Sequence, residues 1–258
     1  MTPPPPPERV QILRFPSDLA LAETLATRWI ELLAAAPAGR PFNVALSGGR
    51  IARRLLAAAA RLGRARHTDW SRCHFFWGDE RGVPADHPES NFRAAQEEFL
   101  APAGIAAVQI HRIAGELPPP EAARQAREEL RRQVPANPAG LPVLDLVFLG
   151  LGEDGHVASL FPDTPDALAN SAEIYVPVIG PKPPPRRVSL TFPVLAAARA
   201  AWVAASGPGK EQALQSSLAA SGTTPLAHLL RARAQTLVFT DIDAPGSLKK
   251  LAPAGFER

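Results

Sequence analysis

An apolar segment that ends in a run of glycines constrains the fold more than any other feature of this sequence. Residues 144–149 are almost all apolar and rich in branched side chains, which is typical of a strand covered on both faces in a parallel sheet. Glycines at positions 150, 152 and 155 follow, and they allow a sharp turn where larger residues would clash. Ligands of open α/β sheets bind at the carboxyl ends of the strands. We therefore expect Asp154 and His156, at the end of this segment, to lie at a functional site.

Strand-like and helix-like segments alternate along most of the chain. Ser17 and Ser90 are each placed to cap a helix, and the second of these helices is predicted to end near Leu100. Between residues 173 and 205, strand patterns follow one another with little helix. The sequence thus predicts an α/β fold with a doubly wound, mostly parallel sheet, helices on both faces and a small antiparallel subregion. The predicted strands are 10–15, 42–46, 74–77, 108–113, 143–149, 174–179, 188–192, 201–205 and 236–240, and further helices are predicted at 50–62, 121–134, 209–219 and 225–233.

Length and composition are consistent with one large domain. A chain of 258 residues with 46% hydrophobic side chains can bury a single α/β core, which we assign to residues 9–258. Five consecutive prolines within residues 1–8 predict a disordered arm. The net charge is only +3 and basic residues are interspersed with acids, so we expect no nucleic-acid partner.

The sequence also predicts a cytoplasmic location. It lacks the apolar core of a signal peptide, and no apolar segment is long enough to span a membrane, so we expect no membrane partner. The single cysteine, Cys73, excludes an internal disulfide framework. Because it lies in an apolar strand-like run, we interpret it as a small buried core residue and not as a nucleophile.

A second candidate site follows the strand at 42–46. Ser47, Gly48 and Gly49 connect that strand to a helix, so backbone N–H groups and a helix N-terminus are available to a phosphate. The segment lacks the spacing and the Gly-Lys-Ser/Thr ending of the nucleotide P-loop. A plain tight turn is the alternative interpretation.

Charged residues follow other predicted strands. The two carboxylates Asp79 and Glu80 precede the guanidinium of Arg81, and Asn91 follows shortly after. These groups could bind sugar hydroxyls or an anion through charge-assisted hydrogen bonds, or could form an ion pair on an exposed turn. Arg187 follows a loop stiffened by three prolines and could bind an anion at low entropic cost. Lys210 ends another glycine-rich connection between a strand and a helix.

Two other site classes are disfavoured. Residues 150–155 match the Gly-x-Gly-x-x-Gly dinucleotide fingerprint, but Pro162 and Pro165 interrupt the long helix it requires, and Asp154 would repel a pyrophosphate. The six histidines show no metal-ligand spacing and there is no cysteine pair, so we expect no metal.

Taken together, these motifs resemble the 6-phosphogluconolactonases of the glucosamine-6-phosphate isomerase/6-phosphogluconolactonase superfamily. The most specific motif is Gly-x-Gly-Glu-Asp-Gly-His-x-Ala-Ser-Leu-Phe-Pro at residues 150–162. The Ser-Gly-Gly segment, residues 77–81, residues 90–91 and residues 182–191 match in the same order, so the resemblance covers nearly the whole chain. It implies a doubly wound α/β fold, no cofactor, no metal, and hydrolysis of a sugar-phosphate lactone, 6-phospho-D-glucono-1,5-lactone, in the pentose phosphate pathway. We expect a monomer or a weak dimer.

The resemblance also implies residue roles. His156 is expected to act as the general base, Asp154 to orient it, and Arg81 or N–H groups after Gly152 to stabilise the oxyanion. The expected substrate-binding and phosphate-binding residues are Ser47, Gly48, Gly49, Arg50, Asp79, Asn91, Gly152, Arg187 and Lys210.

One departure from the family pattern concerns the phosphate loop. The family usually continues Ser-Gly-Gly with Ser-Thr-Pro, whereas this chain has Arg50, Ile51 and Ala52. Arg50 either replaces the two missing hydroxyls with a charged contact or points away and leaves the backbone to bind alone.

Two rival functions are considered. A glucosamine-6-phosphate deaminase/isomerase would carry a carboxylate at the position of Phe161 and a tyrosine at that of Arg81. A non-catalytic sugar-phosphate sensor would need a further DNA-binding or partner module, and no helix-turn-helix pattern is evident.

Overall fold

The computed structural model describes residues 9–242, so the predicted proline-rich arm (1–8) and the end of the predicted domain (243–258) lie outside the described residues. Six parallel strands form the main sheet and three antiparallel strands form a smaller one. In spatial order the main sheet contains β1 (Val10–Arg14), β9 (Thr236–Thr240), β8 (Ala200–Ala205), β5 (Leu146–Gly150), β2 (Phe42–Leu46) and β3 (Cys73–Trp77). The smaller sheet contains β4 (Asp79–Arg81), β7 (Arg186–Leu190) and β6 (Tyr175–Ile179).

The predicted fold class is confirmed. Helices alternate with the strands of the main sheet, and every residue of β2 is buried, which requires cover on both faces. No helix within residues 9–242 combines the length and the apolar character needed to cross a bilayer. The α-helices are α1 (Asp18–Ala35), α2 (Arg50–Ala65), α3 (Asn91–Ala95), α4 (Pro119–Gln133), α5 (Asp166–Ala169), α6 (Phe192–Ala197), α7 (Glu211–Leu218) and α8 (Pro225–Ala232).

The strand order creates a place for a ligand. From β2 the chain passes through α2 to β3 on one side, whereas β5 pairs with the other side of β2 and leads on to β8. The connections that leave β2 and β5 therefore diverge, and such a switch point opens a crevice beyond the carboxyl ends of the strands.

Some predicted elements are wrong. Residues 108–113 form no strand: a 3-10 turn occupies Ala107–Gln109, and only an isolated bridge joins Ile110 to Phe75 of the edge strand β3. The Gln109 side chain instead donates to the carbonyls of Trp70 and Cys73, both at 2.7 Å. The helix predicted from Ser90 to Leu100 is α-helical only in α3 and continues as a π-helical turn, Gln96–Leu100. The prediction missed β4, α5 and α6, all of them short.

The structure supports the interpretation of Cys73 as a core residue. Its side chain is fully buried, and burial raises the pKa of its thiol to about 12. With this pKa, less than about 0.1% of Cys73 is thiolate at pH 8. Because the thiolate is the reactive form, we expect iodoacetamide not to alkylate the native protein over an hour. Mass spectrometry of native and urea-unfolded samples would check this, with one carbamidomethyl group expected only on unfolding. Rapid labelling of the folded protein would contradict the packing described here.

Candidate active site

A single cleft gathers the predicted site residues at the switch point. It encloses about 220 Å³, less than the roughly 300–1,000 Å³ of sites for drug-sized ligands, so it suits a small metabolite. Asp154 does not line the cleft but contacts His156, which does. The other predicted residues that line it are Ser47, Gly48, Gly49, Arg50, Asp79, Arg81, Asn91, Gly152, Arg187 and Lys210.

His156 and Asp154 form a hydrogen-bonded pair in the loop after β5. His156 Nδ1 lies 2.6 Å from Asp154 Oδ1, and the same oxygen accepts from the His156 backbone N–H at 3.1 Å. Burial alone would raise the pKa of Asp154, but the His156 ring and these bonds hold it below its usual value. A carboxylate can only accept, so Nδ1 carries a proton, and in the neutral imidazole the lone pair is then on Nε2. This tautomer can accept a proton from a ligand or a water molecule.

Gly152 leaves the space that the histidine pair occupies. A Cβ atom at this position would lie 2.0 Å from His156 Nδ1 and 2.6 Å from Asp154 Oδ1. The Gly152 N–H donates to the His156 carbonyl at 2.9 Å, so the two ends of the 152–156 turn are hydrogen-bonded to each other. On its other side the imidazole packs against Phe161, with ring centroids 4.6 Å apart.

Two arginines from the smaller sheet bring positive charge to the cleft. Arg81 of β4 and Arg187 of β7 are partners in the antiparallel register. Arg187 is 7% exposed, and burial followed by the neighbouring Arg81 lowers its pKa. Its Nε donates to the Pro184 carbonyl at 3.1 Å, while Arg81 Nε is buried and has no partner among the described residues. Two neighbouring cations, of which Arg187 is buried, favour an anionic ligand.

The start of α2 forms another wall of the cleft. Gly49 is the N-cap residue with φ +91°, and no side chain caps the helix, so the N–H groups of its first turn are available to an anion. A Cβ on Gly48 would lie 1.8 Å from Asn91 Oδ1, so the glycine is needed for the amide of Asn91 to reach this wall. The start of α2 therefore presents uncapped backbone N–H groups at this wall of the cleft.

A lysine and an arginine stand at the same end of the cleft. Lys210 is half-buried, and burial followed by the positive charge of Arg50 lowers its pKa. The Arg50 guanidinium pairs with Asp18 at the start of α1 and donates to Ser206 Oγ at 3.3 Å. Arg50 therefore lines the cleft with its charged group already bound by protein partners.

Sequence reasoning treated Glu80 as a candidate ligand-binding carboxylate and missed its supporting role. Glu80 is 2% exposed and accepts from the backbone N–H groups of Arg81 at 2.7 Å and of Asn91 and Phe92 at 2.8 Å, and from the Ser90 hydroxyl at 3.1 Å. Burial raises the pKa of Glu80, and the three N–H bonds oppose that rise. Its carboxylate thereby connects β4 to the start of α3. The sequence gives no sign of these contacts, which join residues about ten positions apart in a loop.

Other missed residues surround the predicted ones. Ser159 donates to Asp79 Oδ2 at 2.6 Å and so fixes that carboxylate in the cleft wall. Glu153 and Lys182 both line the cleft and form an exposed ion pair, with Nζ 3.0 Å from Oε2. Ser159 and Glu153 belong to the glycine-rich histidine motif, and Lys182 begins the proline-stiffened loop. Their positions in these motifs could have indicated that they lie at the site.

Comparison with known proteins identifies the family. A family model described as glucosamine-6-phosphate isomerases/6-phosphogluconolactonase matches residues 16–239. The 6-phosphogluconolactonase of Streptomyces coelicolor is 37% identical over 239 residues, which cover 89% of this chain and 91% of that protein.

Solved structures share the fold. The crystal structure of devB protein aligns with a TM-score of 0.82 and 32% identity, covering 91% of this chain and 98% of that one. The crystal structure of 6-phosphogluconolactonase from Thermotoga maritima aligns with a TM-score of 0.74 and 27% identity, covering 90% of this chain and 98% of that one. The residues matched by the family model include every residue that lines the cleft. This chain belongs to the glucosamine-6-phosphate isomerase/6-phosphogluconolactonase family.

Proposed function

We propose that this protein hydrolyses 6-phospho-D-glucono-1,5-lactone to 6-phospho-D-gluconate, the lactone-opening step of the oxidative pentose phosphate pathway. One observation carries the proposal: a histidine hydrogen-bonded to a carboxylate, with no partner for its Nε2 among residues 9–242, lines the same small cleft as Arg187 and Lys210. A base and an anion site in one cleft suit an ester that carries a phosphate. The 6-phosphogluconolactonases among its relatives support the same assignment.

His156 is the proposed general base. Its Nε2 takes a proton from water as the water oxygen bonds to the lactone carbonyl carbon. The tetrahedral intermediate then collapses, the bond between that carbon and the ring oxygen breaks, and the imidazolium returns its proton to the departing ring oxygen. Asp154 holds Nδ1–H throughout and stabilises the imidazolium. Hydrolysis is direct, without an acyl-enzyme and without a cofactor.

The oxyanion of this intermediate needs hydrogen-bond donors. Arg81 is one candidate because its buried Nε has no protein partner among the described residues. Backbone N–H groups after Gly152 are the other. Donors that are already in place when charge develops are worth several kcal/mol in a site of this kind.

The phosphate is the proposed anchor at the far end of the substrate. The Ser47–Gly49 segment and the uncapped start of α2 after it supply N–H groups. Arg187 and Lys210 supply charge from two other parts of the chain. Asp79 and Asn91 are placed to bind sugar hydroxyls between the two ends. Binding energy from the phosphate then serves to hold the carbonyl near His156.

Phe161 argues against the deaminase alternative. The deaminase motif carries a carboxylate at this position, whereas here an apolar ring packs on the His156 imidazole at 4.6 Å and beneath Arg187 at 5.4 Å. That carboxylate is therefore replaced by a ring that supports both groups. The sensor alternative leaves the oriented histidine without a purpose.

A coupled assay tests the proposed function. The lactone is generated in place from glucose 6-phosphate, and release of 6-phosphogluconate is followed with an excess of its dehydrogenase. We expect the protein to accelerate hydrolysis in proportion to its concentration, above the spontaneous rate. Incubation with glucosamine 6-phosphate should release no ammonia. Ammonia release without lactone hydrolysis would overturn the proposal.

Replacing Arg187 with alanine should weaken binding more than turnover. A charge-assisted bond contributes about 1.5–3 kcal/mol, so we expect KM to rise about 10- to 100-fold with a smaller change in kcat. Arg186→Ala is the matched control, because Arg186 is the exposed neighbour of Arg187 in the chain and lies outside the cleft. Equal KM values for the two variants would remove Arg187 from the phosphate site.

A further inference from the structure

We propose that Arg50 is a positioning residue: it holds the loop that carries Lys210 against the start of α2 and does not itself bind the phosphate. The inference rests on the proposed function and decides between the two uses of Arg50 that the sequence leaves open. The loop concerned, residues 206–210, connects β8 to α7 and is named here the lysine loop.

The guanidinium of Arg50 joins three parts of the fold. One terminal nitrogen pairs with Asp18 at the start of α1, and the other donates to Ser206 Oγ at 3.3 Å. The guanidinium also lies against the backbone of Gly207, because a Cβ added there would lie 2.4 Å from Arg50 Nη2. The planar, five-donor group of arginine suits such bridging, whereas the single ammonium of lysine does not.

The lysine loop is held from its other side as well. Ser206 Oγ donates to Asp241 Oδ2 at 2.9 Å, and the Gly207 N–H donates to Asp241 Oδ1 at 3.2 Å. A continuous polar chain thus runs from Asp18 through Arg50 and Ser206 to Asp241, which follows β9. Ser206 is 2% exposed, so the bonds at its hydroxyl are partly shielded from water, whereas the Arg50–Asp18 pair is exposed.

These contacts order the loop that carries Lys210. Gly207 and Gly209 have φ values of +94° and +80°, so the loop contains two residues of high intrinsic freedom. An unanchored loop would have to be ordered when the phosphate binds, at a cost in affinity. Arg50 and Asp241 supply that order in advance and leave the ammonium of Lys210 facing the cleft.

The charge balance agrees with an indirect role. Asp18 pairs with both Arg50 and Arg54, and Arg54 Nη1 lies 3.0 Å from Asp18 Oδ1. Binding of a phosphate through the N–H groups already in use would require the Arg50 guanidinium to leave Asp18 or Ser206. The Lys210 ammonium, by contrast, has no hydrogen bond or ion pair within the described residues that would have to be broken.

A double-mutant cycle tests the inference. Binding of 6-phosphogluconate and of inorganic phosphate is measured by calorimetry for wild type, Arg50→Ala, Lys210→Ala and the double variant. We expect Arg50→Ala to weaken binding about three- to tenfold in the wild-type background and by less than about twofold once Lys210 is absent. Additive losses would show that Arg50 contacts the ligand independently and would overturn the inference. KM should rise in Arg50→Ala while kcat stays within about twofold, since the histidine end is untouched.

Asp18→Ala gives an independent second arm. If Arg50 is held in place by Asp18, removing the carboxylate loosens the lysine loop and weakens phosphate binding. If Arg50 binds phosphate directly, removing its competitor leaves binding unchanged or strengthens it, and either result overturns the inference. Arg54→Ala is the matched control, because Arg54 shares Asp18 but lies outside the cleft. Thermal unfolding of each variant separates loop effects from loss of the fold.

The same measurements separate this inference from the proposed function. Unchanged binding in Lys210→Ala would remove the phosphate site assigned to that residue, and the inference with it. Weakened binding in Lys210→Ala together with additive loss in the double variant would leave the proposed function intact and overturn only the role of Arg50.

Discussion

Replacing His156 with alanine is expected to lower kcat for lactone hydrolysis by about 10²- to 10⁴-fold, the usual contribution of a positioned general base. The Nε2 lone pair is lost, whereas the proposed phosphate site is built from other elements. The dissociation constant of 6-phosphogluconate should therefore change by less than about threefold. Turnover is measured in the coupled assay above the spontaneous rate, and product binding by calorimetry.

The control for this variant is His67→Ala, which removes an exposed histidine outside the cleft. It should retain the turnover of the wild type. Turnover within about twofold of wild type in His156→Ala would exclude this residue as the base. A parallel loss of product binding would instead indicate that the imidazole binds substrate.

Gly152→Ala is expected to lower kcat by about 10²-fold, because an added methyl group displaces the histidine pair from its working position. The new Cβ would overlap His156 Nδ1 at 2.0 Å and Cε1 at 2.3 Å. Kinetics in the coupled assay, with thermal unfolding of the same sample, would show whether the loss is confined to the site.

Gly150→Ala is the matched control two residues earlier in the chain. Its nearest atoms would lie 3.9 Å and 4.0 Å from an added Cβ, which is ordinary contact, so we expect a much smaller loss. Equal kcat values in the two variants would contradict the position of His156 and Asp154 directly over Gly152.

The predictions that succeeded depend on local patterns. The strands at 42–46 and 236–240 match β2 and β9 in full, because a buried parallel strand needs a continuous apolar run whatever its neighbours are. Ser17 and Ser90 do cap helices, each accepting a backbone N–H at 3.2 Å. The glycine turns after β2 and β5 could be read from the sequence for the same local reason.

The predictions that failed depend on neighbours distant in sequence. Residues 108–113 have a strand-like composition, yet only one bridge to β3 forms. The Gln109 side-chain amide donates instead to the backbone carbonyls of residues 70 and 73. The three residues of β4 form a strand only because β7 pairs with them. Strand formation is a pairing event, so composition alone cannot decide it.

The sequence by itself determined the six strands of the main sheet, the glycine turns at the strand ends and the identity of the groups available there. Only the tertiary structure decided the contacts of those groups: Asp154 lies 2.6 Å from the imidazole, Glu80 accepts from the N–H groups of Arg81 and Asn91, and Arg50 is bound to Asp18 and Ser206. The physical reason is one of range. Backbone preference and apolar periodicity act over a few residues, whereas hydrogen bonds and charge pairing depend on atoms that come within about 3 Å only after the sheets have assembled.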